Sequence, residues 1–251
     1  MPKFFVKKEQ LNGNIVNIVG QDVNHIKNVL RLEKEDEIHI CNLDMQETYL
    51  CKIVDFKNEG IECEILKKDE EKREPKINLT IIQGLPKAEK MELIIEKSTE
   101  LGVKDIIPLK LNRCIVKFDS KTEIKKIDRW QKIAETASKQ SKRDAILKIN
   151  NIINLNNVCN LIPSYDIVLV AYENEKENSL KKELVNLKNS NIENLKIAVI
   201  IGPEGGFEEE EIAALEEVGV KAVSLGRRIL RTETAPIAIA TAIMYEFDEL
   251  Q

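Results

Sequence analysis

From residue 77 to its end the chain alternates short β-branched runs with longer amphipathic ones, and nothing else in the sequence constrains the fold as strongly. INLTIIQGL, VKDIIPLK, DIVLVAYE, LKIAVIIG and VKAVSLG are apolar enough to be strands covered on both faces. KAEKMELIIEKSTELG, TEIKKIDRWQKIAETASKQ, NSLKKELVNL, EEEEIAALEEVG and TAPIAIATAIMYEF follow them as helices. In the first helix Met91, Ile94, Ile95 and Leu101 share a face, and Gly102 supplies the stop. Trp130 falls in helical register with Ile127, Ile133 and Ala134 and reads as core. Strands separated by helices pair in parallel through crossovers. The expectation is an α/β fold with a mostly parallel sheet, whose ligands bind beyond the carboxyl ends of the strands.

Residues 1 to about 68 have a different rhythm. EIHICNL, TYLCKIVDF and GIECEILKK are short runs with partial alternation, separated by turn signals such as Asn12-Gly13 and Asn58-Glu59-Gly60. One helix stands out, DVNHIKNVLRL, with Val23, Ile26, Val29 and Leu30 at helical spacing. This part is expected to be a small β-barrel-like domain. KKDEEKREPK, residues 67–76, has no aliphatic or aromatic residue and carries a proline near its end. It sets the expected boundary, with domains 1-70 and 71-251.

Composition narrows the function classes. Of 251 residues 43% are hydrophobic, enough for a sizeable core, and the net charge of −5 is too mild to name a partner. The five cysteines are an odd, scattered set without a C-x-x-C pair, which points to a reducing cytoplasm. With only His25 and His39 besides, no metal site is expected. The start has too short an apolar stretch for a signal peptide, and no run approaches the ~20 apolar residues of a membrane helix.

Three consecutive C-terminal features call for a joint explanation: IGPEGGF at 201–207, SLGRRILR at 224–231 and TETAPIAIATAI at 232–243. Gly202, Gly205 and Gly206 follow a strand end and let a ligand approach the backbone, with Glu204 between them. Neither phosphate-binding glycine pattern is present, and the stretch from Gly202 to Glu217 holds seven glutamates and no lysine or arginine. A polyphosphate would be repelled there; a neutral or positively charged ligand would not. Glu208–Glu211 read as acids complementing a helix dipole. Thr234 is expected to cap the last helix, with Pro236 in its first turn. That helix is apolar all round and rich in small residues, hence buried.

Together IIGPEGGFEEEE and LGRRILRTETAPIAIATAI resemble the C-terminal signature of the ribosomal RNA small subunit methyltransferase E (RsmE) family, in the SPOUT class of S-adenosylmethionine-dependent methyltransferases. LPKAEKMELIIEKSTELGVKDIIPL followed by NRC, RWQKIAETASKQSKR and HIKNVLR extend the resemblance over nearly the whole chain. It implies an N-terminal PUA-like β-barrel and a C-terminal α/β trefoil knot. It also implies a cytoplasmic homodimer with a substrate site shared between subunits, and methylation of uracil N3 in 16S ribosomal RNA of the small ribosomal particle. The loops implied to hold S-adenosyl-L-methionine are Leu169–Glu173, Ile201–Gly206, Leu225–Gly226 and Ile229–Ala235. From them Val170, Ala171, Tyr172, Ile201, Gly202, Pro203, Glu204, Gly205, Gly206, Leu225, Gly226, Ile229, Leu230, Arg231, Thr232, Thr234 and Ala235 are the expected cofactor contacts. A ligand without phosphate and with a positive sulfonium suits an acidic neighbourhood.

For RNA the local charge matters more than the total. From Lys110 to Arg143 there are eleven basic residues against four acidic ones. Arg113, Lys117, Lys139 and Arg143 are the expected contacts there, and His25 and Arg31 those in the first domain. Uracil N3 carries a proton, so a base must remove it or a cation must stabilise the anion. Arg231 is the cation candidate, with a loop-shaping salt bridge to Glu233 or Glu204 as its other reading; Glu204 and Glu233 are the candidate bases. Three alternatives stay open: a ribose 2′-O methyltransferase of the same class, although its N-x-G-x-x-x-R motif is absent; a non-catalytic RNA-binding assembly factor; and a nucleotide-binding enzyme.

Overall fold

A computed structural model describes residues 1–190 and 192–250, which form two compact units. The first comprises Met1–Glu74 together with Ser138–Ile146. Its strands are β1 (Lys3–Val6), β2 (Leu11–Asn12), β3 (Ile15–Ile18), β4 (Glu37–Asn42), β5 (Glu47–Phe56) and β6 (Ile61–Lys68). They form one sheet in the order β1-β4-β5-β6-β3-β2, with β1 and β4 parallel and the other pairs antiparallel. Phe4 and Val6, Val16 and Ile18, Ile38 and Ile40, Cys51 and Ile53, and Ile61 and Cys63 recur at period two and bury one face. The other face receives residues 142–144. Asp144 accepts from the Lys3 ammonium and the Thr48 hydroxyl, both at 2.6 Å, and from the Arg73 amide at 3.1 Å. A boundary read from the charge run at 67–76 has no means of assigning this distant segment to the first unit.

The expected helix of this unit is irregular. Gln21–Asn24 is one α-turn (α1), and His25–Leu30 continues it as a π-helix that Arg31 ends in the left-handed region at φ 54°. Widening the turn takes Val29 and Leu30 out of register, so only Ile26 is buried. Spacing based on 3.6 residues overestimated the apolar face here.

The second unit is Pro75–Ala137 with Leu147–Gln251. Its strands are β7 (Asn78–Gly84), β8 (Asp105–Lys110), β9 (Lys148–Ile149), β10 (Ile153–Asn154), β11 (Ile167–Ala171), β12 (Lys196–Ile201) and β13 (Lys221–Val223). All pair in parallel, in the order β10-β8-β7-β12-β11-β13, and β9 also lies against β8. The helices are α2 (Lys90–Glu100), α3 (Ser120–Gln140), α4 (Leu155–Leu161), α5 (Leu180–Lys188), α6 (Glu209–Glu217) and α7 (Thr234–Glu246). The two-residue strands β9 and β10 are too short to leave a periodic signal. Trp130 is buried and meets Phe118 edge-on.

The C-terminus is threaded. The Val223 carbonyl accepts from the Tyr172 amide on the β11 side (3.1 Å). Ser224, facing the other way, donates to the Asn178 carbonyl (2.8 Å) and accepts from the Leu180 amide (3.1 Å). Consecutive residues of an extended chain bond in opposite directions, so 222–224 lies between two legs of the 172–180 connection. The chain then returns and packs α7 against α2 and α5, burying Ile239, Ala240, Ile243 and Met244. This is the trefoil knot, a rare connectivity that hydrophobic periodicity cannot report.

Candidate active site

Two bent segments meet beyond the carboxyl ends of β7, β11 and β12. The first follows β12. The backbone of Gly84 and Gly202 allows close packing: a Cβ on Gly84 would lie 2.7 Å from Pro203, and one on Gly202 would lie 3.0 Å from the Phe207 ring. Gly206 has φ +67°, and a Cβ there would meet the Glu173 carboxylate at 3.1 Å. The second segment runs from Ser224 to Thr234, with Gly226 at φ +110°. Thr232 ties the two together: its hydroxyl donates to the Gly202 carbonyl (2.7 Å) and accepts from Gln83 Nε2 (3.0 Å) at the end of β7. The segments enclose a cleft of about 410 Å³, within the range of small-molecule sites.

Most expected cofactor contacts line this cleft: Ala171, Tyr172, Ile201, Gly202, Pro203, Glu204, Gly206, Leu225, Gly226, Ile229, Leu230, Arg231, Thr232 and Ala235. Val170, Gly205 and Thr234 do not. Val170 points into the sheet's core. Gly205 faces outward, where a Cβ would lie 2.9 Å from Arg113 Cβ. Thr234 is the first residue of α7, whose cap is Glu233 without a side-chain bond; the expected Thr234 cap is absent.

The charge of the cleft differs from the expectation. Of the seven glutamates after Gly202 only Glu204 lines it. Glu208 and Glu211 form a capping box at the start of α6, and both hold Asn112, Glu211 through its amide (2.9 Å) and Glu208 through its side chain (2.6 Å). Four cations face the cleft instead, Lys90, Arg227, Arg228 and Arg231, beside Glu173 and Glu204. The absence of lysine and arginine from 202 to 217 does not extend to the cleft, because the arginines sit on the second segment rather than the first.

Lys90 was not singled out in the sequence. It opens α2 and places its ammonium 2.9 Å from Glu204 and 3.1 Å from Glu233. The Lys87 amide also donates to Glu204 at 3.1 Å. Burial raises the pKa of both glutamates, but Lys90 and the backbone N–H groups outweigh it, and both stay below the ordinary range. That makes them poor proton acceptors. Arg231 takes neither of the salt bridges expected for it: among the described residues its side chain has no ion pair or hydrogen bond.

The expected RNA contacts separate into two groups. His25 and Arg31 are exposed on the first unit, His25 edge-on to Phe4. Lys117 is exposed, and Arg113 donates to the Gly205 carbonyl at 3.1 Å. Lys139, by contrast, is paired with Asp22 at 2.7 Å, and Arg143 is 5% exposed and bidentate to Glu74. Both are engaged by carboxylates of the first unit. Their charge anchors 138–146 to the first unit, a role that a charge count cannot tell from RNA binding.

All five cysteines are free, and burial pushes Cys51 and Cys63 up to about 12, leaving them protonated and unreactive. Among the described residues no cluster has the makings of a metal site and no helix is long and apolar enough to cross a membrane.

Residues 72–244 match the family model described as an RNA methyltransferase domain, and residues 18–66 that of an RNA methyltransferase PUA domain. Knot, bent-loop cleft and curled PUA-type sheet together define an RNA methyltransferase of the SPOUT class. More narrowly, the chain belongs to the ribosomal RNA small subunit methyltransferase E family. It is 34% identical to that protein of Bacillus subtilis over all of this chain and 99% of the relative, and 33% identical to that of Mesomycoplasma hyopneumoniae over 96% and 98%. The crystal structure of ribosomal RNA small subunit methyltransferase E from Neisseria gonorrhoeae bound to S-adenosyl methionine superimposes with a TM-score of 0.83 at 32% identity, covering 97% of each chain.

Proposed function

We propose that this chain methylates N3 of a uridine in 16S ribosomal RNA, with S-adenosylmethionine as donor. The observation that carries the reading is the cleft itself, two glycine-bent segments pinned together by Thr232 beyond the strand ends of a knotted sheet. Its residues fit the donor. Backbone is bare at the bends, Leu225, Leu230, Ala235 and Phe207 offer apolar faces for a nucleobase, and Glu173 and Glu204 suit a sulfonium. The arginines suit a carboxylate or an incoming RNA phosphate. A polyphosphate finds neither phosphate-binding glycine pattern, and the start of α6 is closed to it by Glu208–Glu211.

When bound, the donor supplies an electrophilic methyl whose sulfur departs as a neutral thioether. The rest falls to the protein. The bent segments fix the line of approach, which is mainly a matter of positioning. Glu204 and Glu233 are engaged by Lys90 and are not free to take the N3 proton, which is lost to hydroxide or a buffer base from solvent, and the anion is met by Arg231. N3 then forms the new bond to carbon, and the electron pair of the broken bond stays on sulfur. Arg113, Lys117 and the basic face of α3, where Lys121, Lys125 and Lys132 are exposed, supply the phosphate contacts in this unit; His25 and Arg31 do so in the first.

A homodimer in the cytoplasm completes the reading, with a domain division near residue 70. Sedimentation of the purified chain tests the homodimer. The function is tested by mapping methylated uridines in small-subunit RNA from cells with and without the gene. Loss of one N3-methyluridine is expected; an unchanged map rejects the assignment.

A further inference from the structure

One lysine at the cleft holds two carboxylates, Glu204, which lines the cleft, and Glu233, which does not, and Glu233 is within electrostatic reach of the proposed cation Arg231. Glu204 lies on the first bent segment, and Glu233 lies two residues beyond Arg231 on the second. Either carboxylate is a stronger partner for a guanidinium than a neutral or partly ionised uracil, since a full negative charge binds it more tightly. Arg231 is near enough to Glu233 to depress its pKa, yet forms no ion pair with it. The ammonium of Lys90 stands between the two acids, 2.9 Å from Glu204 and 3.1 Å from Glu233. It comes from α2, outside both segments, and is half-buried.

We propose that Lys90 is a positioning residue of the methyl-transfer site: by holding Glu204 and Glu233 it prevents their capture of Arg231 and leaves that guanidinium for the substrate. The inference rests on the role given to Arg231 above. One lysine satisfies two carboxylates on two different segments, so it also sets the gap between them. Glu204 has the Lys87 amide as a second donor, whereas Glu233 Oε2 is buried with no hydrogen bond beyond the contact with Lys90. Without Lys90, Glu233 is the acid with most to gain from Arg231.

The test measures methylation of unmodified small ribosomal subunits by the full chain, with S-adenosylmethionine affinity measured separately by calorimetry. K90Q should lower kcat about 100-fold, the lower end of the ~10²–10³ lost with one electrostatic stabiliser. Its cofactor Kd should stay within about three-fold. K90R keeps a cation within reach of both acids and should retain most of the activity. K90Q/E233Q should regain at least about ten-fold over K90Q, because the captor is gone while the lysine is still missing. An undiminished kcat in K90Q, a loss confined to cofactor Kd, or no regain in the double variant would each overturn the proposal. R231Q separates the two readings: if it keeps full kcat, the role of Arg231 fails, and if it is impaired while K90Q is not, only the role of Lys90 fails.

Discussion

Thr232→Val tests whether the cleft exists only because its two segments are pinned. Valine has the shape of threonine without the hydroxyl. Thr232 is 7% exposed, so water does not replace the lost bonds. Gln83 Nε2 keeps the Gly84 carbonyl at 3.0 Å, but the Gly202 carbonyl loses its 2.7 Å donor and retains only Gln83 at 3.5 Å. A buried acceptor left this way costs about 1–3 kcal/mol. For a chain of this length each kcal/mol lowers Tm by about 2–4 °C. If binding requires the pinned arrangement, part of the same cost reappears in affinity, and S-adenosylmethionine Kd should rise about ten-fold. Calorimetry reads both quantities. Thr232→Ser keeps the hydroxyl and should bind almost as well as the native chain. A T232V protein with native Tm and native Kd would refute the argument that this hydroxyl organises the site.

Other expectations follow from separate features. Asp144→Ala leaves the Lys3 ammonium, 2% exposed, without its partner, and should destabilise the first unit by about 3–5 kcal/mol in urea titrations. Gly206→Ala places a side chain at φ +67° against Glu173 and should cost about 1–2 kcal/mol, with weaker cofactor binding; a native-like Kd would show that the bend is dispensable. Glu204 and Glu233 titrate below their ordinary value of 4.5. The stabilisation from their ion pairs is therefore fully present above that value and is lost as pH falls through the lowered folded-state values. Their contribution to the unfolding free energy should be flat from neutral pH to about pH 5 and fall only below it, whereas a midpoint near neutrality would contradict the pairing with Lys90.

The alternation of β-branched and amphipathic runs after residue 77 was enough to place β7, β8, β11, β12 and β13 with their helices, because burial on both faces writes itself into composition. The glycines at 202, 206 and 226 were equally legible, since few other residues tolerate those bends and close approaches. Family resemblance added the knot and the ligand. Local patterning failed where the partner was remote. Lys90 meets Glu233, and Gln83 meets Thr232, only when the chain has been threaded, and no spacing rule joins residues about 150 positions apart. The glutamates at 208–211 serve a helix cap and Asn112, in keeping with their reading as first-turn acids, while the cations of the cleft come from α2 and the second segment.

By itself, then, the sequence determined the longer strands and helices of the second unit and where its backbone must bend, because those are properties of a few neighbouring residues. Tertiary structure alone decided which charges face the cleft, which are locked in pairs such as Arg143 with Glu74, and that Lys90 rather than Arg231 holds Glu204 and Glu233. Charge acts through space at a few ångströms, and only folding sets those distances.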